Sequence, residues 1–270
     1  MRLTGSGRAR PSSELSAIKW PVSARILRAF SRDPEAPDFA GGTINHVGKH
    51  ALDFLDKTVP RFREMIVGKS VLDYGCGMGD QAVALSLLGA KSVTGYDPYP
   101  RFPTTGPSGV TFTASLPTEK FDIVLSSSSM EHFADPEREL ATMAALTSQD
   151  LVIAWAEPWY SHSGSHMNFF TRLPWVNLIF PETSVTLVRS LYRDDGAMCY
   201  EDCGHGGGVN RMTVSRFERI IAATGMRVEF YRNYATCGIP LVTSIPVIRE
   251  LLTSSCTCIL RPTKHTRSKG

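Results

Sequence analysis

Short apolar runs alternate with helical stretches over most of the chain from Lys69 onward. Five runs read as strands, at 71–74, 92–96, 110–113, 121–125 and 151–156. Helices are predicted between some of them, over about 80–88 and about 136–146. Because strands that alternate with helices pair in parallel, this pattern predicts a sheet covered by helices on both faces.

The stretch 158–210 breaks this alternation. It is rich in aromatic residues, His, Gly and Pro, and it follows the fifth strand, so we predict an insertion, or lid, with short helices of its own. Thr213 is then predicted to cap a helix over 214–224 that ends at Gly225. Three further elements follow, a strand at 227–231, a helical region at about 246–252 and a strand at 256–260. The fold expected is α/β, a Rossmann-like, doubly wound, mostly parallel sheet of seven strands.

The N-terminal region has a different character. Residues 1–32 carry seven basic side chains against one acidic one, a net charge of +6, so the other 238 residues sum to −3 in a chain of net charge +3. We interpret 1–42 as a basic arm and loop, favouring a solvated tail over a nucleic-acid, anionic-membrane or transit role. Thr43 is predicted to cap a helix that runs to about Phe62, opening a domain over 43–270.

Composition excludes several classes of protein. With 42% apolar and 20% charged residues, the chain can bury a globular core, which argues against disorder and coiled coil. No apolar run reaches the roughly 18 residues of a membrane span, so we expect a soluble, cytoplasmic protein. The six cysteines form no Cys-x-x-Cys pair and are expected to be reduced, and Cys199, Cys203 and His205 lack an evident fourth metal ligand.

The most informative segment is the glycine-rich end of the first strand, Val71-Leu72-Asp73-Tyr74-Gly75-Cys76-Gly77-Met78-Gly79-Asp80. A turn with glycines at 75, 77 and 79 lets a ligand approach the backbone closely, because no Cβ stands in the way. Asp80 stands where a dinucleotide fingerprint has its third glycine. The acidic Asp73 at the strand end suits a cationic amino-acid ligand better than a pyrophosphate.

This segment resembles the first motif of the class I S-adenosylmethionine-dependent methyltransferases, and the similarity runs in order from about residue 69 to 157. Asp97, after the second strand, stands where that family binds the ribose hydroxyls. The run from Phe121 to Phe133, with Glu131-His132, resembles the fourth-strand signature. The resemblance implies S-adenosylmethionine as cofactor, and it implies cofactor contacts at Asp73, Gly75, Cys76, Gly77, Gly79, Asp97, Pro98, Ser115, Leu116 and Ser126.

The chain departs from the family pattern after the third strand. Many members carry an acidic residue there that contacts the adenine amino group, but the segment 110–117 has none. Adenine recognition is therefore expected to come from Ser115 or from backbone groups.

Four side chains are candidates for catalysis: His132, His162, His166 and Tyr160. His132 follows the carboxyl end of a strand, where open α/β sheets bind ligands. His162 and His166 stand four residues apart and would share a face of a helix, a spacing that suggests a metal site together with Glu157. The residues between them, Ser163-Gly164-Ser165, form helices poorly, and we predict no metal. Proton transfer by His166 and simple packing in the lid both stay open.

The expected activity is S-adenosylmethionine-dependent methyl transfer to a small-molecule acceptor, most often at oxygen, as a hydroxyl or a carboxylate. An RNA or protein methyltransferase and a non-catalytic cofactor-binding subunit are the alternatives. The slightly acidic body argues against nucleic acid as a partner. The sequence leaves a homodimer open.

Overall fold

The centre of the protein is a seven-stranded sheet. The structure, a computed structural model, describes residues 20–33, 52–193, 197–202, 208–236, 238–246 and 248–263. Within these residues the strands are β1 (Ser70–Tyr74), β2 (Ser92–Tyr96), β3 (Val110–Thr113), β4 (Phe121–Ser127), β5 (Thr147–Ala156), β6 (Arg227–Ala235) and β7 (Thr253–Arg261). Their order is β3-β2-β1-β4-β5-β7-β6, and only β7 runs antiparallel to its neighbours. The predicted fold class is confirmed.

Alternate residues of the central strands enter two different apolar cores. On one face of the sheet, Leu72 and Val124 pack among side chains such as Phe217, whereas Val71 and Ile123 pack on the other face. Because side chains alternate along a strand, a strand covered on both sides must be apolar at nearly every position. This explains why the strands were visible as continuous apolar runs.

From residue 80 onward, the helices of the sheet domain lie close to their predicted positions. Among the described residues they are α2 (Asp53–Thr58), α3 (Phe62–Ile66), α4 (Asp80–Leu87), α5 (Pro136–Leu146), α8 (Val214–Ala223) and α9 (Ile248–Leu252). The Thr213 side chain caps α8 by accepting a hydrogen bond from the Arg216 backbone N–H, and Gly225 follows with φ +67°. Both features of this helix are as the sequence predicts.

The helix predicted from Thr43 to Phe62 is not continuous. Residues 34–51 lie outside the described residues, and the rest forms the two short helices α2 and α3. Val59 is extended, with φ −110° and ψ +116°, and Pro60 follows it. A residue before proline is driven out of the helical region by the proline ring, so the prediction of one helix was wrong at this point.

Part of the basic arm is folded. Helix α1 (Val22–Ala29) packs against α7 (Glu182–Arg189) of the insert, and Ala24 and Leu27 are fully buried there. The Ser23 and Ser184 hydroxyls are 2.8 Å apart, and the Arg32 backbone N–H donates to the Phe170 carbonyl at 2.9 Å. The interpretation as a solvated tail is therefore wrong for residues 20–33.

The insert has an apolar core of its own. Besides α7 it contains α6 (Val176–Ile179) and a 3₁₀ turn at Tyr200–Asp202, and Trp159, Phe170 and Val188 are buried together with α1. It leaves the sheet at the end of β5, as predicted. Because β4, β5 and β6 run in the same direction, the segments after all three strands meet at one edge, the carboxyl edge of the sheet. In the described part of the chain, no helix is long and apolar enough to cross a bilayer.

Candidate active site

The glycine turn after β1 is shaped by its neighbours. The Tyr96 carbonyl at the end of β2 accepts hydrogen bonds from the backbone N–H groups of Gly75 and Cys76, at 2.8 and 3.0 Å. A Cβ at Gly75 would lie 2.8 Å from the Ser129 Oγ, and one at Gly79 would lie 2.6 Å from the Phe112 ring. These two glycines are thus required by packing alone, and both also have positive φ.

Gly77 differs from the other two glycines. Its φ is +54°, yet a Cβ there would meet only the Arg101 guanidinium, at 3.9 Å, among the described residues. The protein itself therefore leaves open space beside the Gly77 backbone. A cradle that a side chain would fill is what a ligand lying along this turn requires.

Asp73 lies beneath this turn at the end of β1. It is buried, and its Oδ1 accepts a hydrogen bond from the Gln81 side chain at 2.7 Å, while Oδ2 has no hydrogen-bond partner among the described residues. Burial raises the pKa of Asp73 to about 7, and the nearby charge of Asp97 acts in the same direction. A buried, half-satisfied carboxylate fits a cationic ammonium group such as that of the methionine part of S-adenosylmethionine.

Asp97 joins the end of β2 to the glycine turn. Its Oδ2 accepts from the Gly77 backbone N–H and its Oδ1 accepts from the Tyr99 N–H, both at 2.9 Å. Pro98 follows and is exposed. A carboxylate in this position has lone pairs left to accept hydrogen bonds from the two hydroxyls of a ribose.

The predicted adenine side of the site contains an aromatic pair. The Phe102 and Phe112 rings stack with centroids 5.1 Å apart, and Phe112 also closes against Gly79. Ser115 and Leu116 are exposed nearby, but the Ser115 backbone N–H already donates to the Thr113 hydroxyl at 3.0 Å. The Ser115 hydroxyl and the exposed Leu116 side chain remain available to a base.

Cys76 and Ser126 are buried beside the same edge. Burial raises the pKa of the Cys76 thiol, so it is held as a neutral, unreactive group. The Ser126 hydroxyl on β4 is buried without a hydrogen-bond partner among the described residues. Cys76 thus contributes shape, whereas Ser126 offers an unused polar group.

A cluster of four ionisable side chains lies after β4 and β5. Glu131 and His132 lie on a 3₁₀ turn (Met130–His132), and Glu157 and His166 come from the start of the insert. The His166 Nε2 is 2.9 Å from the Glu131 Oε1, and its Nδ1 is 3.3 Å from the Glu157 Oε1. The His132 and His166 rings stack at 5.9 Å. The cluster adjoins the glycine turn, since a Cβ at Gly75 would touch Ser129, two residues before Glu131.

The carboxylates set the charge of His166. Burial opposes a charged imidazole, but Glu157 and then Glu131 outweigh it and raise the pKa of His166 to about 9. Burial likewise opposes ionisation of Glu131, but the His166 hydrogen bond and the charges of both histidines hold the pKa of Glu131 below its usual value. At neutral pH His166 is therefore an imidazolium between two carboxylates, with neither ring nitrogen free to accept a proton.

His132 is in the opposite state. Burial lowers its pKa, and the Glu131 carboxylate offsets this only in part. Its Nδ1 lies 3.0 Å from the Gly208 carbonyl oxygen, which can only accept a hydrogen bond. In the neutral ring Nδ1 must therefore carry the proton, which leaves the Nε2 lone pair as a proton acceptor.

Glu157 is a functional candidate that the sequence-based assignment used only as a metal ligand. Its Oε1 accepts from the Trp155 indole N–H at 3.1 Å, and its Oε2 accepts from the Ser163 hydroxyl at 2.7 Å. Its position directly after β5, at the carboxyl edge, was the signal available in the sequence. It fixes His166 and is itself fixed by two donors.

His162 and Tyr160 lie apart from this cluster. The His162 Nδ1 lies 3.2 Å from the Thr236 hydroxyl, and Tyr160 is partly exposed, with its carbonyl accepting from the Trp175 indole N–H. Ser165 and His166 have φ of +51° and +67°, so the segment is not the helix that a His162 and His166 metal pair would need. That metal arrangement is not formed.

Another metal arrangement is available in the described residues. One ligand atom each of Glu131, His132 and His166 lies within 4.8 Å of the others. Both nitrogens of His166 and the Nδ1 of His132 already have oxygen partners, so a cation would have to displace these contacts. The ring nitrogens of His166 are already held by hydrogen-bonded carboxylates, and we continue to expect no metal.

Together, the sheet order, the glycine cradle and the two aspartates define a nucleotide-cofactor enzyme of the class that uses S-adenosylmethionine. The family model described as "Methyltransferase domain" matches residues 47–227, about two thirds of the chain. The chain belongs to this family, and it is an S-adenosylmethionine-dependent methyltransferase.

Solved structures of similar fold include an S-adenosylmethionine-dependent methyltransferase of Mesorhizobium loti. It is 20% identical, with 73% of this chain and 92% of that chain covered and a TM-score of 0.47. Magnesium protoporphyrin IX methyltransferase of Synechocystis PCC 6803, with bound SAH, is 15% identical over 79% of this chain and 84% of that chain, with a TM-score of 0.45. No curated protein was found to match the sequence.

Asp97→Ala is expected to weaken S-adenosylmethionine binding by about 1–3 kcal/mol, because a charged acceptor is removed from the proposed ribose position. Titration calorimetry measures the change. Asp135→Ala is the matched control, since the Asp135 carboxylate also accepts a backbone N–H, from Arg138, but at the start of α5. Equal affinities of the wild type and the Asp97 variant, both folded, would restrict Asp97 to its contacts with Gly77 and Tyr99.

Asp73 is expected to make the cofactor-free protein less stable at higher pH. With a pKa of about 7, the folded protein keeps a proton that the unfolded chain loses near pH 4, so stability falls as the pH rises from about 4 to about 7. The thermal midpoint should drop on the order of 5 °C between pH 5 and 8 through this group. Asp73→Asn should remove that part of the slope; identical slopes would contradict the assignment.

Proposed function

We propose that the enzyme transfers the methyl group to a hydroxyl oxygen of a small-molecule acceptor bound between the carboxyl edge of the sheet and the insert, with His132 as the proton acceptor. The observation that carries this is the different bonding of two histidines near the glycine turn: both nitrogens of His166 meet carboxylates, whereas His132 contacts the Gly208 carbonyl through Nδ1 and keeps Nε2 for an acceptor proton. A hydroxyl must lose its proton during transfer, whereas a carboxylate need not. A neutral histidine at this edge therefore favours the hydroxyl.

Each part of the site has a task in this proposal. S-adenosylmethionine, when bound, supplies an electrophilic methyl group. Asp73 would hold its ammonium group and Asp97 its ribose. His132 takes the acceptor proton on Nε2, while the Gly208 carbonyl keeps its ring oriented through Nδ1. Positioning accounts for more of the rate than the base does, roughly 7–11 kcal/mol against about 3–5.

His166 acts as a positioning residue in this proposal. Its positive charge lies between Glu131 and Glu157, so it offsets two carboxylates that would otherwise bring the pKa of His132 back up. Asn210 supports the same turn from the insert, because its side-chain amide donates to the Met130 and Phe133 carbonyls at 2.7 and 2.8 Å. The insert therefore both covers the edge and fixes the catalytic turn.

The proposal is tested by product analysis with labelled S-adenosylmethionine. Purified enzyme is offered matched sets of hydroxyl, carboxyl and amine compounds, together with RNA and a protein extract, and label transfer is followed by mass spectrometry. Methylation of hydroxyl oxygen in the low-molecular-weight set supports the proposal. Label confined to carboxylates, amines, RNA or protein would overturn it.

A further inference from the structure

Three segments around the carboxyl edge expose large apolar side chains, which together we call the apolar rim. They are α1, α6 and the segment between β6 and β7. The rim consists of Val22, Ile26, Phe30, Leu178, Ile179, Ile239, Leu241, Ile245 and Ile248. Phe30 is 60% exposed and Leu241 is 71% exposed. Isolated exposed aliphatic residues are ordinary, but several of them on neighbouring segments indicate a binding surface.

Direct contacts connect the three segments. The Thr171 hydroxyl donates to the Phe30 carbonyl at 2.8 Å, which joins the end of α1 to the stretch that leads into α6. The Trp175 backbone N–H donates to the His162 carbonyl at 2.8 Å, and the His162 ring meets Thr236 at the end of β6. The rim is thus carried by neighbouring parts of the insert, α1 and the post-β6 segment.

The post-β6 segment is unusual in composition. Residues 235–248 contain no charged side chain, in a chain that is 20% charged and would place about three in a stretch of that length. Its 3₁₀ turn (Pro240–Ser244) nevertheless exposes Leu241, and Ile239 and Ile245 flank the turn and are also exposed. A polar, solvated loop would not be built from these residues.

The charge of α1 indicates the partner. Val22 and Ile26 on α1 and Phe30 directly after it recur every four residues and are exposed. Arg25 and Arg32 are exposed nearby, Asp33 follows Arg32, and the Arg28 guanidinium donates to the Arg32 carbonyl and the Tyr192 hydroxyl. Residues 1–19 add Arg2, Arg8, Arg10 and Lys19 against Glu14. An apolar stripe flanked by arginines matches an anionic lipid surface, which offers both hydrocarbon and negative headgroups.

We propose that the apolar rim and the arginines of α1 dock the enzyme on an anionic lipid bilayer, with the carboxyl edge of the sheet next to the membrane. Nucleic acid would use the arginines but would leave the uncharged 235–248 segment without a partner. A second copy of the chain would bury the apolar rim but would bring two sets of arginines together. An anionic bilayer offers negative headgroups to the arginines and hydrocarbon to the apolar rim at the same time.

Vesicle sedimentation with the full chain tests this docking. Vesicles of equal parts phosphatidylglycerol and phosphatidylcholine are compared with vesicles of phosphatidylcholine alone, at about 0.1 and about 0.5 M NaCl. We expect partitioning to the anionic vesicles to exceed that to neutral ones at least about tenfold, and to fall at least about fivefold at high salt. Absence of binding to anionic vesicles, or equal binding to both kinds, would overturn the proposal.

Matched variants locate the surface. Leu241→Ser and Phe30→Ser are each expected to lower partitioning at least about threefold. Leu87→Ser, which changes a residue 82% exposed at the end of α4, should not. Arg25→Gln should act more strongly than Arg219→Gln, a change at an exposed arginine of α8. Equal effects of the rim and control variants would contradict the proposed surface.

Folding and self-association are followed in the same samples. Circular dichroism and S-adenosylmethionine binding show whether each variant is folded, and Ile26→Ser provides a second change on α1 if Phe30→Ser fails to fold. Analytical ultracentrifugation measures the oligomeric state. A wild-type dimer that Leu241→Ser converts to monomer, without vesicle binding by either, would assign the rim to an interface between copies and overturn docking on lipid. Methyl transfer is measured in a separate assay without vesicles. Failure of the docking proposal can therefore be told apart from failure of the proposed methyl transfer to a hydroxyl.

Discussion

Gly77→Val is expected to weaken S-adenosylmethionine binding at least a hundredfold, about 3 kcal/mol or more. The valine side chain would enter the open space beside the turn, where the neighbouring protein atom is 3.9 Å from the added Cβ. That space is the part of the cradle a bound cofactor would use. A β-branched residue at φ +54° adds backbone strain, so the turn itself would also shift. Calorimetry with S-adenosylmethionine and S-adenosylhomocysteine measures the loss.

A valine at a second glycine, Gly225, is the control that separates the effect of backbone strain from the effect of filling the cradle. Gly225 has φ +67°, and a Cβ added there would have no described atom within 4 Å, but it follows the end of α8, away from the glycine turn. Gly225→Val therefore carries the same conformational cost without the steric conflict with cofactor. We expect it to lower the thermal midpoint and leave affinity within about twofold. Similar affinities of the two variants would remove Gly77 from the cofactor site.

Much of the sheet was predictable because its signals are local. Consecutive residues determine strand β1 and the turn after it, and single residues at the two ends of α8, Thr213 and Gly225, mark where that helix begins and ends. Doubly covered parallel strands are also apolar throughout, which makes them easy to find. The break at Val59 had a local signal too, in Pro60, which the apolar spacing outweighed in our interpretation.

Helix α1 could not be predicted in the same way. It is eight residues long, and such a helix is marginal without tertiary contacts. Its stability comes from burying Ala24 and Leu27 against residues of the insert about 160 positions later, such as Ser184 and Val185. The arginines that suggested a solvated tail lie around this buried face.

The cluster of Glu131, His132, Glu157 and His166 depends on long-range contacts and on backbone strain. Glu131 and His166 are 35 positions apart, and the contact needs His166 in the left-handed region, at φ +67°. The sequence therefore offered His132 and His166 as candidates and named Glu157 beside His166 only as a metal ligand, without the Glu131 contact. The two carboxylates change the role expected of His166, because they raise its pKa and keep it protonated. His132, whose pKa is lowered, is then the neutral ring that can accept a proton.

His132→Gln is expected to lower kcat by about 10²–10⁴-fold while S-adenosylmethionine affinity stays within a few-fold. Glutamine can still donate to the Gly208 carbonyl, so the turn is retained, but it cannot take the acceptor proton. Because burial lowers the pKa of His132, wild-type kcat/KM should be level near neutral pH and fall only at more acidic pH, as the ring gains a proton. That acidic fall should be absent in the variant.

His166→Gln distinguishes two roles of His166, a cation that positions the cluster and a base that takes the acceptor proton, because the two roles predict different results. As a held cation with a pKa of about 9, His166 stabilises the fold below about pH 6.5, and this contribution is lost as the pH rises through about 9. Its removal should therefore lower the thermal midpoint at about pH 7 more than at about pH 10. It should also raise the pH at which the His132-dependent fall in kcat/KM begins, because Glu131 and Glu157 would then act on His132 uncompensated. If His166→Gln instead abolishes the acidic fall, and His132→Gln keeps both the fall and most of kcat, His166 is the base and the charge assignment of the cluster is reversed.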